Sequence, residues 1–231
     1  QWQADGGGIS TDHLPKLSAQ VESFLNARLA CEMHALAKAD AAQLEARAHE
    51  RFGLERSALF VGREAELHRL VEHARTGTGA LVVKAGSGAG KSSLLSAACA
   101  RLAALDGARP AMRVLVRFCG VSRAASSAVP LALSLIAQLD AIAGHVPTVA
   151  KPGDADADGQ GGGADTSLET LRAQMAAALQ RASRGCRLLL VVDALDQLVE
   201  HATPSERHVA LLGWLPAPLP DGVCVLTSLL D

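Results

Sequence analysis

The sequence predicts an α/β fold in which a doubly wound, mostly parallel sheet carries helices on both faces, preceded by a helical N-terminal extension. Three observations lead there. Short apolar runs alternate with stretches of helical periodicity, and that alternation favours a parallel sheet because each crossover lays a helix on a sheet face. The run Arg187 to Val192 is almost wholly apolar, as a strand buried on both faces must be. A glycine-rich turn, Ala85 to Ser92, leaves a strand and opens a helix.

From Leu17 to Ala48, the residues Leu17, Val21, Leu25, Leu29, Met33, Leu36 and Leu44 place apolar side chains on one face of a long helix, which Gly53 is expected to end. That stripe reads as a packing face rather than a signalling coiled coil. A shorter helix follows Phe60-Val61-Gly62-Arg63-Glu64, with Leu67, Leu70, Val71 and Ala74 on one side and Gly77 and Gly79 as terminators. Ala80 to Lys84 reads as a short strand, and Ser92 to Leu105 as a helix through Leu94, Leu95, Ala98 and Leu102. A second strand is expected at Arg113 to Cys119 and a helix at Val129 to Ile142, with Pro130 suited to its first turn. Residues 144–165, rich in Gly, Asp and Pro, read as a flexible insert. Thr166 and Glu169 form a capping box for a helix to about Ser183. After the strand at Arg187, Thr203, Pro204 and Glu206 open another helix, and Gly222 to Ser228 is the last strand. Trp214 is expected to anchor a helix in the core. Residues 1–56 thus form the extension and 57–231 the α/β domain.

A chain of 231 residues fits this division. Hydrophobic residues reach 49% with positive mean hydropathy, yet aromatics are only 3% and Tyr is absent, so stacking platforms for single-stranded nucleic acid are missing. With 22 basic against 24 acidic residues and no basic run, nucleic acid is disfavoured as a ligand. Cys31, Cys99, Cys119, Cys186 and Cys224 show no C-x-x-C pair and read as reduced thiols. No apolar stretch approaches the roughly 20 residues of a membrane span, and a cytoplasmic protein is expected. The start at Gln1 and the stop after an apolar run at Asp231 suggest a piece of something longer.

The turn Ala85-Gly86-Ser87-Gly88-Ala89-Gly90-Lys91-Ser92 carries the chemistry. Its glycines let successive backbone N–H groups turn inward around phosphates, and the helix N-terminus adds its positive dipole end. Lys91 then reaches the β and γ phosphates, and the Ser92 hydroxyl is a hard oxygen ligand for Mg²⁺. Ala85 stands where the first glycine of this P-loop, or Walker A, pattern is usual. Asp193 sits where the apolar strand Leu188 to Val192 meets the phosphate side of the sheet, and a carboxylate there can hold the magnesium. Asp196, three residues on, can orient or deprotonate the attacking water, or merely cap a turn. Thr227 and Ser228 end the next strand at the same edge, where a hydroxyl can sense the γ phosphate.

In the order of these boxes, Phe60 to Ser228 resembles the signal-transduction ATPases of the NACHT and STAND group, close to the origin-recognition (Orc-like) AAA ATPase module. The resemblance makes Val61, Gly62 and Arg63 the adenine-side box. It makes Gly86, Ser87, Gly88, Ala89, Gly90, Lys91, Ser92 and Ser93 the phosphate site, Asp193 and Asp196 the Walker B pair, and Ser228 the sensor. It implies ATP or ADP with Mg²⁺, a P-loop NTPase sheet, and a fifth strand beyond the sensor strand. Trp214-Leu215-Pro216 with Leu219-Pro220 is similar to the nephrocystin and telomerase-associated branch, which implies protein partners through WD or TPR repeats further on and leaves room for a nucleotide-dependent oligomer. Gln197 stands where many NACHT proteins have another acidic residue, and Leu229 where many have an arginine, so slow hydrolysis is expected. The rivals are an Orc-like ATPase acting on DNA and a nucleotide-dependent scaffold without turnover; nothing resembles the acceptor pocket of a small-molecule kinase.

Two further patterns read as ordinary, a solvated acidic insert and histidines of the surface or core. Asp154, Asp156, Asp158, Gly159 and Asp165 match an EF-hand loop, but Pro147 and Pro152 stand where a helix should precede and Gly161 where an aliphatic side chain packs. The eight histidines, His201 and His208 among them, show no ligand spacing.

Overall fold

Leu188, Leu190 and Val192 alternate with Leu189 and Val191 along one strand, and all five are at most 1% exposed, so both faces of that strand are covered. The computed structural model describes residues 14–38, 41–106, 112–145, 167–198 and 213–231. In chain order these form α1 (Leu14–Lys38), α2 (Ala41–Ser57), α3 (Glu64–Thr76), β1 (Gly79–Ala85), α4 (Lys91–Asp106), β2 (Met112–Phe118), α5 (Ala128–Ile142), α6 (Leu168–Ala182), β3 (Arg187–Asp193) and β4 (Val223–Leu230). Short 3₁₀ turns stand at Ala124–Ser126 and Leu195–Leu198.

The chain divides into two compact units, Gln1–Leu44 and Glu45–Asp231. In the first, α1 leaves Leu14, Leu17, Val21, Phe24, Leu25 and Leu29 exposed. In the second, the strands pair in parallel in the order β1-β4-β3-β2. The α/β class and the parallel sheet are therefore as the sequence predicts. Helices α3 and α4 pack Leu67, Leu70, Val71, Leu95 and Leu102 on one face, over Leu189, Val191 and Leu226. Helices α5 and α6 pack Leu131, Leu135, Met175 and Leu179 on the other, over Leu190, Val192 and Val225. Each such leucine removed from water stabilises the fold by about 2 kcal/mol. Arg187, at the start of β3, donates from Nε to the Ala74 carbonyl at 2.7 Å and from Nη2 to that of Gly77, satisfying acceptors at the C-terminal end of α3.

The predicted N-terminal helix is described as α1 and α2, with residues 39 and 40 between them outside the described residues. Three expectations need correction. Gly53 lies inside α2 rather than ending it, close against the Phe118 ring: a Cβ there would meet ring carbons at 3.4 Å. The N-cap of α6 is Ser167, whose hydroxyl accepts from the Thr170 N–H at 3.2 Å, rather than Thr166. Trp214 is fully buried but stands in a turn, not a helix. The expected helix after Thr203, the Asp154 to Asp165 pattern, His201, His208 and nearly all of the insert lie outside the described residues. Cys99, Cys119, Cys186 and Cys224 are free thiols. Among the described residues no helix is long and apolar enough to cross a membrane.

Candidate functional site

The turn from β1 into α4 is built by backbone that only glycine adopts cheaply. Gly88 and Gly90 have φ of 72° and 82°, in the left-handed region. The Ala89 N–H donates to the Gly86 carbonyl at 3.3 Å, which curls the loop, and the first hydrogen bond of α4 runs from the Leu94 N–H to the Gly90 carbonyl at 3.0 Å. The N–H groups of Lys91, Ser92 and Ser93 therefore lie ahead of the helical ladder without an intrahelical acceptor, at the positive end of the helix dipole. Lys91 Nζ donates to the Ala85 and Gly86 carbonyls at 2.6 and 3.0 Å, holding its ammonium across the loop. Ser87 and Gly88 are exposed, and Ser92 and Ser93 are half-buried.

The segment before α3 comes to the same loop. Gly62 and Arg63 both have left-handed backbone, with φ of 84° and 53°. This turn sends Arg63 toward the loop: Arg63 Nη1 lies 4.0 Å from where a Cβ on Gly90 would stand. Val61 beside it is 91% exposed.

Across the sheet, β3 ends at Asp193, which is 3% exposed. The Ser228 hydroxyl on β4 donates to Asp193 Oδ1 at 2.5 Å and itself accepts from the Ala194 N–H at 2.8 Å. Ala194 itself takes left-handed backbone, with φ of 55°. Thr227 donates to the Val192 carbonyl at 2.7 Å. The Ser228 hydroxyl, expected as a phosphate sensor, is thus engaged with Asp193 and fixes that carboxylate. Two strand spacings of about 4.8 Å put Asp193 roughly 10 Å across the sheet from β1. Asp196, in the 3₁₀ turn, accepts the Leu230 N–H on Oδ1 at 3.1 Å, and Leu230 pairs with Ala85, the first residue of the loop. Burial, and after it the negative charge of Asp193 and Asp196, pushes the Cys119 thiol up to about 12.

Donor chemistry fits a nucleotide with Mg²⁺. Inward amides and an ammonium suit phosphate oxygens, and the Ser92 hydroxyl with the second Asp193 oxygen offers hard oxygen ligands. Among the described residues no group of three or more His, Cys, Asp or Glu could hold a metal by itself, and Mg²⁺ commonly takes its remaining ligands from phosphate and water. The sheet brings the loop, Arg63, Asp193, Asp196 and Ser228 to one edge; Val61 contributes no buried contact there. Sequence reading missed the Ser228 to Asp193 bond, whose only local signal is a hydroxyl at a strand end.

A family model described as novel STAND NTPase 1 matches residues 47–229. No curated protein matches the chain.

Proposed function

The chain belongs to the novel STAND NTPase 1 family, and from that premise we propose that this NTPase domain is an ATP- and ADP-binding switch that hydrolyses slowly within a larger protein. One observation carries the reading: the phosphate loop and the Asp193, Ser228 and Asp196 cluster meet at the C-terminal edge of the same parallel sheet, where such folds bind ligands. The amides of Gly86, Ser87, Gly88, Ala89, Gly90, Lys91, Ser92 and Ser93 receive phosphate oxygens. The Lys91 ammonium exchanges the Ala85 and Gly86 carbonyls for the β and γ phosphates. Ser92 and Asp193 place the metal, with Ser228 holding Asp193 in register. Bound Mg²⁺ neutralises charge on the phosphates. Val61, Gly62 and Arg63 take the base side, with Arg63 reaching the loop. The order of the boxes supports the NACHT-like branch and with it protein partners, while 22 basic against 24 acidic residues and 3% aromatics speak against nucleic acid.

Lys91→Ala tests this reading. Isothermal titration should find MgATP binding abolished, and an unchanged affinity would sink the phosphate assignment. A second reading, a nucleotide-dependent scaffold without turnover, is favoured by the bond from the Leu230 N–H to Asp196, which gives that carboxylate a structural task. Asp196→Asn keeps an acceptor for Leu230 and so separates the two. If Asp196 orients water, phosphate release falls while ATP affinity stays; equal release rules that role out, and a parent that binds ATP without releasing phosphate supports the scaffold.

A further inference from the structure

A second polar cluster is buried at the same edge of the sheet, at β2 rather than β1. His49, on α2, is fully buried. Its Nδ1 accepts from the Phe118 N–H at 3.1 Å, and its Nε2 donates to Glu45 Oε1, one turn earlier, at 2.9 Å. The Ser122 hydroxyl donates to the same Glu45 oxygen, and Ser122 Oγ accepts from the Ala125 N–H at 3.0 Å. Only an unprotonated nitrogen can receive a backbone N–H, so His49 is neutral with its proton on Nε2. Phe52 and His49 lie against the Phe118 ring, with centroids at 4.8 and 6.3 Å.

Strand geometry gives this contact its consequence. β2 is the outer strand, and Phe118 pairs in register with Asp193 on β3. The Phe118 N–H faces away from β3 and is received by His49. The next amide, of Cys119, faces the other way and donates to the Asp193 carbonyl at 3.1 Å. Asp193 is thus held from both flanks: its carboxylate by Ser228 on β4, and its backbone by a strand end that α2 grips. The family match opens at residue 47, so it includes His49.

We propose that His49 is a positioning residue of the nucleotide site, which fixes the end of β2 and through it the metal-placing Asp193. The proposal rests on the nucleotide reading above. It makes the end of α2 part of the nucleotide machinery rather than of a linker.

The test compares the parent chain with His49→Ala and His49→Asn, titrating a fluorescent ATP analogue first in EDTA and then at rising Mg²⁺. Asn can present Oδ1 where Nδ1 stood. Alanine should raise the Mg²⁺ needed for half-maximal enhancement of binding about tenfold, the scale on which outer partners of a metal ligand act. Binding in EDTA should be equal in all three, which shows that the variants fold, and asparagine should restore the Mg²⁺ requirement to within about twofold of the parent. A parent that responds to Mg²⁺ beside an alanine variant identical to it overturns this proposal alone. So does a variant whose binding in EDTA falls as far as its binding with Mg²⁺, since the role is then general to the fold. A parent that binds no ATP analogue under either condition overturns the nucleotide reading and this one with it.

Discussion

Replacing Ser228 by alanine should cost far more stability than the loss of one hydroxyl from a strand suggests. Ser228 is fully buried, and its oxygen serves two partners: it donates to the Asp193 carboxylate at 2.5 Å and accepts the Ala194 N–H at 2.8 Å. The first bond is charge-assisted and contributes about 1.5–3 kcal/mol. Losing the second leaves a polar amide without its acceptor, at about 1 kcal/mol or more. Alanine nearly fills the volume of serine, so no cavity adds to the sum, and Ser228→Ala should destabilise by about 3 kcal/mol. Urea unfolding followed by circular dichroism measures this, with the midpoint moving and the slope unchanged. A cycle with Asp193→Ala isolates the pair, and its coupling energy should exceed about 1 kcal/mol. A Ser228→Ala chain within about 0.5 kcal/mol of the parent would refute the reasoning, because that is the range of a surface substitution.

Two further outcomes follow from α2. Burial first, and the Arg117 charge next, push the His49 pKa down, while Glu45 pulls the other way; acceptance of the Phe118 N–H requires the neutral ring, so the downward direction holds. A histidine depressed in the folded state contributes stability that is whole above its ordinary value near 6.5 and declines as pH falls toward the folded value. Glu45 is held below its ordinary value: burial, its largest influence, raises it, but hydrogen bonds from Ser122 and His49 outweigh burial, so its contribution is lost only at lower pH, from about 4.3 down. Urea midpoints between about pH 6.5 and 4.5 should therefore fall with acid less steeply in His49→Asn than in the parent, and parallel curves would exclude His49 as the source. Gly53 sits inside α2 with room for an ordinary Cβ contact on Phe118, so Gly53→Ala should stabilise by about 0.5–1 kcal/mol, read as a higher melting temperature; a loss would mean that the 3.4 Å contact is already tight.

What was legible in the sequence was local. The phosphate loop is one contiguous string whose glycines, lysine and serine each have a task set by backbone conformation and charge, and β3 announces itself by an unbroken apolar run. The acidic strand end follows from the same run. His49 was not legible, because its partners lie 69 and 4 residues away and the more distant one is a backbone amide, which no side-chain spacing reveals. Gly53 misled for a related reason: a glycine in a helical pattern reads as a stop unless the ring it lies against is known. Ser228 was marked for its place at the sheet edge, but a hydroxyl does not declare whether it serves a ligand or the carboxylate 35 residues before it. Trp214 read as a helix anchor because bulk and burial are shared by turns and helices alike.

The two borders of the sheet differ in how they meet the surroundings. At β2, the Phe118 amide is received by His49 and the Val116 carbonyl by Arg117 Nη1 at 2.9 Å, so side chains take up two of the outward groups. At β1, no strand lies beyond Gly79–Ala85 among the described residues, and Ala80, Val82 and Lys84 are exposed. Two copies of the described sheet joined along β1 about a two-fold axis would leave β2 and its side-chain partners as the outer border on either side. The strand they would share is the one that carries the phosphate loop, so such a pair would set two loops on either side of a common seam.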